Sequence, residues 1–318
     1  MINNFKSGYL KTEDNHSVYY RVYGEEKNIA VFVIHGGPGG ASNYKDIKWF
    51  DLNLYKVIFI DQRGCGNSLP KMELENNDSN KLVEDIEKIR KLLKIDKMIL
   101  FGGSWGSTLS LLYAIKYPKH ILHLFLFSIF LGRKKDIDFL YEKNGAALFS
   151  PDYYHKFFTL VKNEKGKRVL EKYYNIFKSE NHLLKSKAAI YYTNWQSSLA
   201  SVSKFHFYEN ALENEVKDKI NYAMFESHYL INNLFLENDN YILKNVKKIE
   251  NIKTTLIHGR LDLICRSQGA FLLYQKLKNA KLYLADASGH SCEDKIFKSI
   301  MKKEILKLSN KLKSIIKN

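Results

Sequence analysis

Short apolar runs that end near glycine recur along the first third of the chain and alternate with stretches of helical periodicity. The runs are IAVFVIHGG (29–37), YKVIFIDQRG (55–64), KMILFGG (97–103) and HLFLFSIF (123–130). Continuous apolar runs of this length are typical of strands buried on both faces, as in a parallel sheet. Between the second and third runs, KLVEDIEKIRKLLK (81–94) has apolar residues at helical spacing. The alternation predicts an α/β fold with right-handed crossovers.

The composition changes after the last of these runs and changes back near residue 246. Residues 131–245 are rich in Tyr, Phe, Asn and Lys, with helix-like segments and no clear strand pattern. The strand pattern resumes in TTLIHGRLD (254–262) and AKLYLADASGH (280–290). We therefore predict a core made of residues 1–130 and 246–318, interrupted by a helical insertion at 131–245. A chain of 318 residues, 45% of them hydrophobic, is long enough to bury such a core.

The two ends of the chain extend this core. GYLKTEDNHSVYYRVYG (8–24) predicts an antiparallel hairpin, and the C-terminal segment predicts an amphipathic, basic helix. The first residues contain no apolar stretch typical of a secretory signal, and no run approaches the ~18 apolar residues of a membrane span. We expect a cytoplasmic protein with no membrane partner.

The formal net charge is +16, carried mainly by lysines that are interleaved with 34 acidic residues. A nucleic-acid-binding protein needs a basic cluster with a recognition motif, and the sequence contains neither, so we expect no nucleic-acid partner. The cysteines, Cys65, Cys265 and Cys292, are too few and too scattered for a disulfide framework or a metal site. We expect neither a metal nor another cofactor.

Residues 102–106 read Gly-Gly-Ser-Trp-Gly, which fits the pattern G-x-S-x-G. A strand-like run comes directly before them, and the helical stretch TLSLLYAIKY (108–117) follows. In a nucleophile elbow this strand–turn–helix is so tight that flanking side chains would clash, and Gly102 and Gly106 remove them. The pattern predicts that Ser104 is a nucleophile rather than an incidental serine in a glycine-rich turn.

A serine nucleophile needs a base, and the base needs an orienting carboxylate. Asp262 and His290 each follow a later predicted strand, in the chain order that a nucleophile elbow requires. His258 and His35 compete as the base, but each lies inside its own strand-end turn, where bracing the loop is the expected role. Asp286 competes with Asp262 as the acid, but it shares its strand end with His290. We predict Ser104, Asp262 and His290 as the catalytic residues.

The stabilisation of an oxyanion requires backbone N–H groups beside the nucleophile. One is predicted from Trp105, the residue after the nucleophile, at the start of a helix. The second is predicted from the loop HGGPGG (35–40), through Gly37 or Gly36, because glycines let the backbone approach a substrate closely.

Five motifs in order make the sequence similar to the proline iminopeptidases, which are serine peptidases of the α/β-hydrolase fold. They are HGGPGG (35–40), DQRGCGNS (61–68), GGSWGSTL (102–109), HGRLDLIC (258–265) and SGHS (288–291). The likeness extends into the insertion through GAALFSPDYY (145–154). It implies an α/β-hydrolase fold with a helical cap inserted after the sixth strand. It also implies release of an N-terminal residue, usually proline, from peptides with a free N-terminus.

Such an exopeptidase must hold the substrate ammonium at a fixed distance from the nucleophile, and buried carboxylates are suited to this. The family uses two glutamates of the cap. Glu226 resembles one of them, whereas the family's Trp-Glu pair reads Trp195-Gln196 here. The resemblance therefore implies substrate binding by Glu226, Gln196 and Trp195, with one carboxylate fewer than in the family.

Other positions of the specificity pocket also differ from the family. Phe130 matches a pocket phenylalanine, but Phe127 stands where the family has arginine and Leu140 where it has a tyrosine. Cys265, close after Asp262, is expected to line the pocket or to be an inert buried thiol. The catalytic residues match the family better than the pocket does.

Two alternatives to a prolyl aminopeptidase follow from these departures. One is an α/β-hydrolase that acts on other aminoacyl amides or on esters, with relaxed or shifted specificity. The other is a ligand-binding protein that keeps the fold without turnover, although such a protein has no need of all three catalytic residue types in order.

Overall fold

One eight-stranded sheet forms the centre of the molecule. The computed structural model describes residues 4–203 and 205–317. The strands are β1 (Lys6–Lys11), β2 (Ser17–Tyr23), β3 (Ile29–Ile34), β4 (Tyr55–Ile60), β5 (Met98–Ser104), β6 (Ile121–Ile129), β7 (Thr254–Gly259) and β8 (Ala280–Ala285). They lie in the order β1-β2-β4-β3-β5-β6-β7-β8. Only the β1–β2 and β2–β4 pairs are antiparallel, which confirms the predicted α/β fold with a mostly parallel sheet.

Helices follow most of the strands. Within the described residues they are α1 (Ser79–Leu92), α2 (Trp105–Lys116), α3 (Lys134–Tyr141), α4 (Pro151–Val161), α5 (Val169–Lys178), α6 (His182–Ala200), α7 (Glu213–Ile231), α8 (Tyr241–Asn245), α9 (Ser267–Lys276) and α10 (Lys295–Lys317). Three of these, α4, α8 and α9, were not predicted from the sequence. Helix α4 begins at Pro151, a residue that suits the first helical position because its missing N–H has no partner there.

The sheet is buried on both faces, as the continuous apolar runs predict. All six residues of β4 are buried. Helices α1, α2 and α9 cover one face, and α10 packs Phe297 and Met301 against the other. The basic C-terminal helix is therefore part of the core on its apolar side.

Helices α3 to α8 all lie between β6 and β7 in the chain, and aromatic residues pack them together. The rings of Phe157 and Tyr173 stack with centroids 4.5 Å apart, and Phe157 also stacks on Trp195 at 5.6 Å. The Tyr- and Phe-rich composition of this segment thus forms the core of a helical layer. The boundaries at residues 131 and 245 remain a prediction.

A membrane-spanning helix would need both length and a continuous apolar surface. Across residues 4–203 and 205–317, none of the helices has the two together.

Candidate active site

Ser104 occupies the junction between β5 and α2 with backbone angles φ 55° and ψ −129°. Positive φ is uncommon for residues other than glycine and marks a tight, strained turn. A Cβ atom on Gly102 would lie 2.5 Å from the carbonyl oxygen of Gly106, and one on Gly106 would overlap the carbonyl oxygen of Ile34. The two glycines therefore allow the strand and helix to meet with Ser104 partly exposed between them.

Asp262 and His290 meet at the same edge of the sheet as Ser104. The Nδ1 atom of His290 donates to Oδ2 of Asp262 at 2.8 Å. The other carboxylate oxygen of Asp262 accepts the backbone N–H groups of Ile264 and Cys265, at 2.9 and 2.8 Å. The carboxylate is thus fixed by the backbone, and it leaves Nε2 of His290 free to act on a hydroxyl.

Ser104 and His290 line the same cavity. Among the described residues no hydrogen bond joins the Ser104 hydroxyl to the His290 ring. In empty active sites this contact is often long and tightens when substrate binds.

The two titratable groups of this pair have shifted pKa values. Burial lowers the pKa of His290, but the charge of Asp262 and its hydrogen bond raise it by more, so it lies above the ordinary 6.5. Burial raises the pKa of Asp262, but His290 and His258 lower it by more than burial raises it. The pKa of Asp262 is therefore well below its usual range. Asp262 is therefore ionised, and His290 holds its proton on the side facing Asp262.

The residues that competed for these roles are bound to other partners, although Nε2 of His258 also lies 3.3 Å from Oδ2 of Asp262. Asp286 is largely exposed and pairs with Arg260 at 2.5 Å. The ring of His258 accepts the N–H of Ile129 at 2.8 Å and donates to the carbonyl of Cys265 at 2.6 Å. These contacts brace the β6 and β7 loops and leave the His258 ring no free nitrogen.

Trp105 connects the start of α2 to the glycine loop after β3. Its indole Nε1–H donates to Oε1 of Gln62 at 2.8 Å. Gln62 in turn donates its backbone N–H to Nε2 of His35 and its Nε2 to the carbonyl of His35, both at 3.0 Å. A Cβ atom on Gly36 would lie 3.6 Å from the Cβ of Ser104. The predicted oxyanion donors thus lie in two segments, Gly36 and Gly37 in the loop after β3 and Trp105 at the start of α2. Gln62, which was not predicted from the sequence, is hydrogen-bonded to both segments.

A cavity of about 830 Å³ separates this edge of the sheet from the helical layer. The core contributes Ser104 and His290 to its lining, and the helical layer contributes three carboxylates against one lysine. These charged residues are Glu215, Asp218, Glu226 and Lys219. All four lie on one face of α7, so a chain of net charge +16 presents a locally acidic cavity.

Glu226 and Gln196 are in contact in the wall of this cavity, and both are more than nine-tenths buried. Gln196 donates its Nε2 to Oε2 of Glu226 and accepts the hydroxyl of Tyr222 at 2.6 Å. The Tyr141 hydroxyl also donates to Oε2 of Glu226, at 3.0 Å, and lies 2.7 Å from the hydroxyl of Tyr192. Burial raises the pKa of Glu226 to about 7, although these hydrogen bonds lower it.

The tyrosines of this cluster were missed in the sequence. Tyr222 lies one helical turn before Glu226, and this spacing could have identified it. Tyr141 directly follows Leu140, the position where the resemblance implied a lost tyrosine, so the hydroxyl is present one residue further along. Leu140 itself contributes its carbonyl oxygen, which accepts the Nε1–H of Trp195 at 3.0 Å.

Three residues expected at the substrate do not belong to the described lining of the cavity. Trp195 is fully buried in the aromatic core of the helical layer, because its ring stacks on Phe157. Phe130 is buried, with its backbone bonded to Ser107 and Thr108 of α2. Cys265 is buried, with its backbone N–H bonded to Asp262 and its thiol beside the side chain of Ser104, and burial raises the pKa of this thiol well above the ordinary range.

Phe127, the position of a family arginine, packs on the opposite face of the sheet against Phe101 and Phe297. It does not contribute to the cavity lining. The three cysteines are free thiols. Among the described residues no group of three or more His, Cys, Asp or Glu side chains could hold a metal ion.

The helical layer is bonded directly to the loop that carries His290. The carbonyl of Ala200, at the end of α6, accepts the N–H of Ser291 at 2.8 Å. The next residue, Ser201, donates its hydroxyl to Asp294 at 2.6 Å, and Asp294 accepts the N–H of Gly289 at 2.7 Å. The end of α6 therefore holds both sides of His290.

Known proteins are similar to this chain in sequence, and solved structures are similar to it in fold. The profile of the alpha/beta hydrolase fold family matches residues 29–292. The proline iminopeptidase of Arabidopsis thaliana is 38% identical over 91% of this chain and 76% of its own. That of Neisseria gonorrhoeae is 34% identical over 91% of this chain and 92% of its own.

Solved structures agree on the fold at much lower identity. An alpha/beta hydrolase from a deep-sea metagenome library has a TM-score of 0.64 at 14% identity, covering 94% of this chain and 96% of its own. An esterase from Exiguobacterium antarcticum has a TM-score of 0.58 at 16% identity, covering 96% of this chain and 98% of its own.

Proposed function

Because the chain belongs to the proline iminopeptidase family of α/β hydrolases, we propose that it is a serine aminopeptidase. It releases an N-terminal residue, preferentially proline, from peptides through an acyl-enzyme. The observation that carries this proposal is the buried carboxylate of Glu226 in the same cavity as Ser104 and His290. No cationic side chain of the described residues pairs with this carboxylate, and a buried carboxylate without such a partner is suited to bind a substrate ammonium.

In this mechanism Ser104 attacks the carbonyl of the N-terminal residue while Nε2 of His290 takes its proton. Asp262 holds the ring of His290 in the required tautomer and stabilises the imidazolium that forms. His290 then gives the proton to the leaving amine of the shortened peptide. Water, deprotonated by the same histidine, hydrolyses the acyl-enzyme and releases the free amino acid.

The backbone N–H groups of Trp105 and of Gly37 or Gly36 stabilise the oxyanion of each tetrahedral intermediate. Each such donor typically lowers the barrier by about 3 kcal/mol. The support for this role is the closeness of the Gly36 backbone to Ser104 and the position of Trp105 at the start of α2, where helical N–H groups have no partner within the helix.

Residues 131–245 act as the cap that selects the substrate. Support comes from α6 and α7, which contribute Gln196, Tyr222 and Glu226 to the cavity wall. Peptides with a free N-terminus are the substrates, and the cytoplasm is the proposed location.

Substitution of Ser104 by Ala tests the chemistry. The Ser104→Ala protein is expected to keep its melting temperature and to lose cleavage of proline naphthylamide by at least about a thousandfold. A fluorophosphonate probe should label the unsubstituted protein and not the variant. Cleavage by the Ser104→Ala protein near the original rate would rule out a serine mechanism.

A second candidate is a hydrolase of other aminoacyl amides or of esters, which the replacement of a family carboxylate by Gln196 favours. Proline, alanine and leucine naphthylamides, their N-acetylated forms and nitrophenyl acetate separate the two. An aminopeptidase cleaves the free-amine substrates and not the acetylated ones. Equal rates on free and acetylated amides would favour the second candidate.

A further inference from the structure

The carboxylate of Glu226 is hydrogen-bonded unequally at its two oxygens. Oε2 accepts from Gln196 and from Tyr141, the latter at 3.0 Å. Oε1 accepts only a weak contact from the hydroxyl of Tyr222 among the described residues, at 3.3 Å. A buried carboxylate oxygen with one long hydrogen bond lacks the donors that a charge in such a place requires.

The hydroxyl of Tyr222 has a better acceptor than Glu226. It lies 2.6 Å from Oε1 of Gln196 and has one proton to give. Burial raises the pKa of Tyr222 well above the ordinary 10.0, so the hydroxyl remains a donor at neutral pH. Tyr222 therefore bridges two acceptor oxygens, Oε1 of Gln196 and Oε1 of Glu226, and satisfies only the first.

We infer that the hydroxyl of Tyr222 holds the place of the substrate amine in the empty enzyme. When peptide binds, its protonated amine displaces this hydroxyl and donates one N–H to Oε1 of Glu226 and one to Oε1 of Gln196. The inference rests on the proposed aminopeptidase function. It makes Tyr222 a positioning residue that competes with the substrate.

The number of acceptor oxygens and the charge at this site match the amine of an N-terminal proline. A protonated proline nitrogen carries two N–H groups, and the two acceptor oxygens match them, whereas a primary ammonium carries a third. The single charge of Glu226 neutralises the single charge of the amine. Gln196 supplies an acceptor there without adding a second charge.

Substitution of Tyr222 by Phe tests the inference because the two possible roles of the hydroxyl predict opposite changes. If the hydroxyl holds the place of the amine, Tyr222→Phe should lower the KM for proline naphthylamide about threefold, because the amine no longer has to displace one hydrogen bond. If the hydroxyl binds the substrate directly, the KM rises. An unchanged or increased KM would overturn the inference. Each KM is taken at the pH where it is lowest, because Tyr222 also affects the ionisation of Glu226.

Tyr141→Phe is the matched control, since it removes the same hydroxyl from the other oxygen of Glu226. Tyr141 is not part of the cavity lining, so its hydroxyl does not compete with the amine; it only stabilises the carboxylate of Glu226. Tyr141→Phe should therefore raise the KM for proline naphthylamide. Hydrolysis of nitrophenyl acetate, which has no amine, reports the acylation step in the same preparations. A change in KM that is as large for the acetate as for the naphthylamide would indicate a general structural effect and would overturn the inference.

Gln196→Leu gives a second test if Tyr222→Phe fails to fold. It removes one of the two acceptors and should raise the KM for proline naphthylamide about tenfold, and an unchanged KM would overturn the inference. The unsubstituted enzyme separates this result from the proposed function. If it cleaves acetylated and free amides equally, the aminopeptidase function fails; if it discriminates and only the variants disagree, the role of Tyr222 alone fails.

Discussion

At the scale of single residues, the predicted catalytic side chains could be located because each follows a strand. Parallel strands end at one edge of the sheet, and Ser104, Asp262 and His290 are found there with His290 bonded to Asp262. Their catalytic roles remain a prediction. Of the residues that hold the cap carboxylate, Tyr222 has a local signal in its spacing from Glu226 on α7, whereas Tyr141 comes from another helix, α3, and could not be located in this way.

Two groups whose pKa values are both raised, His290 and Glu226, give a prediction about pH. His290 must be neutral to accept a proton and Glu226 must be ionised to bind an amine, so raising the pH favours catalysis through both. The pKa of Glu226 is about 7 and that of His290 lies above 6.5. On proline naphthylamide, log kcat/KM should therefore rise with pH at a slope approaching two at pH values below ~6.

Nitrophenyl acetate should show a slope of one over the same range, since it has no amine and depends on His290 alone. In Glu226→Gln the slope for proline naphthylamide should also fall to one, together with a large increase in KM. A slope of one for both substrates in the unsubstituted enzyme would mean that Glu226 does not titrate in this range.

At the scale of elements, the strands were predictable because continuous apolar runs that end near glycine are typical of strands buried on both faces. All eight observed strands fall in runs that the sequence indicates. The short helices α4, α8 and α9 were missed, since short apolar stretches cannot be assigned to helix or strand by periodicity alone. The connection between α2 and the β3 loop was also missed, because Trp105, Gln62 and His35 lie far apart in the chain.

Trp105→Phe tests whether this connection matters for catalysis. An aromatic ring is retained, although it is smaller than the indole, and Oε1 of Gln62 loses its donor in a buried place, so the free energy of unfolding should fall by about 1–3 kcal/mol. The Gly36 loop loses its tie to α2, and kcat should fall roughly tenfold. Chemical denaturation and steady-state kinetics measure the two effects.

Trp195→Phe is the control for Trp105→Phe. Trp195 is equally buried, and its indole N–H bonds to Leu140 at 3.0 Å, within the helical layer. A similar loss of stability with a smaller loss of kcat is expected. Equal losses of kcat in both variants would indicate that Trp105 acts only through stability.

At the scale of the whole molecule, the family and the α/β-hydrolase fold were predictable from the order of the motifs. The acidic character of the cavity was not, because the net charge of +16 is a sum over the whole chain and does not say where the carboxylates lie. Glu215, Asp218 and Glu226 share one face of α7, but only the packing of that helix over Ser104 turns this face towards the cavity.

The bonds between the end of α6 and the His290 loop predict that the two parts of the molecule act together. Ser201→Ala removes the hydroxyl that bonds to Asp294 at 2.6 Å. We expect kcat on proline naphthylamide to fall about three- to fivefold, while the free energy of unfolding falls by no more than ~1 kcal/mol.

Ser198→Ala provides the comparison, because the Ser198 hydroxyl bonds to a carbonyl of its own helix, that of Trp195, at 2.7 Å. Its kcat should stay close to that of the unsubstituted enzyme. If Ser201→Ala keeps full kcat, the contact between α6 and the loop is structural only.

The N–H of Ser291 donates to the carbonyl of Ala200, so the end of α6 is bonded to the loop of His290. The same helix carries Gln196 one turn before that carbonyl. We therefore expect a peptide whose first residue displaces α6 to move the His290 ring relative to Ser104 as well. Discrimination between peptides should then be seen in kcat as well as in KM.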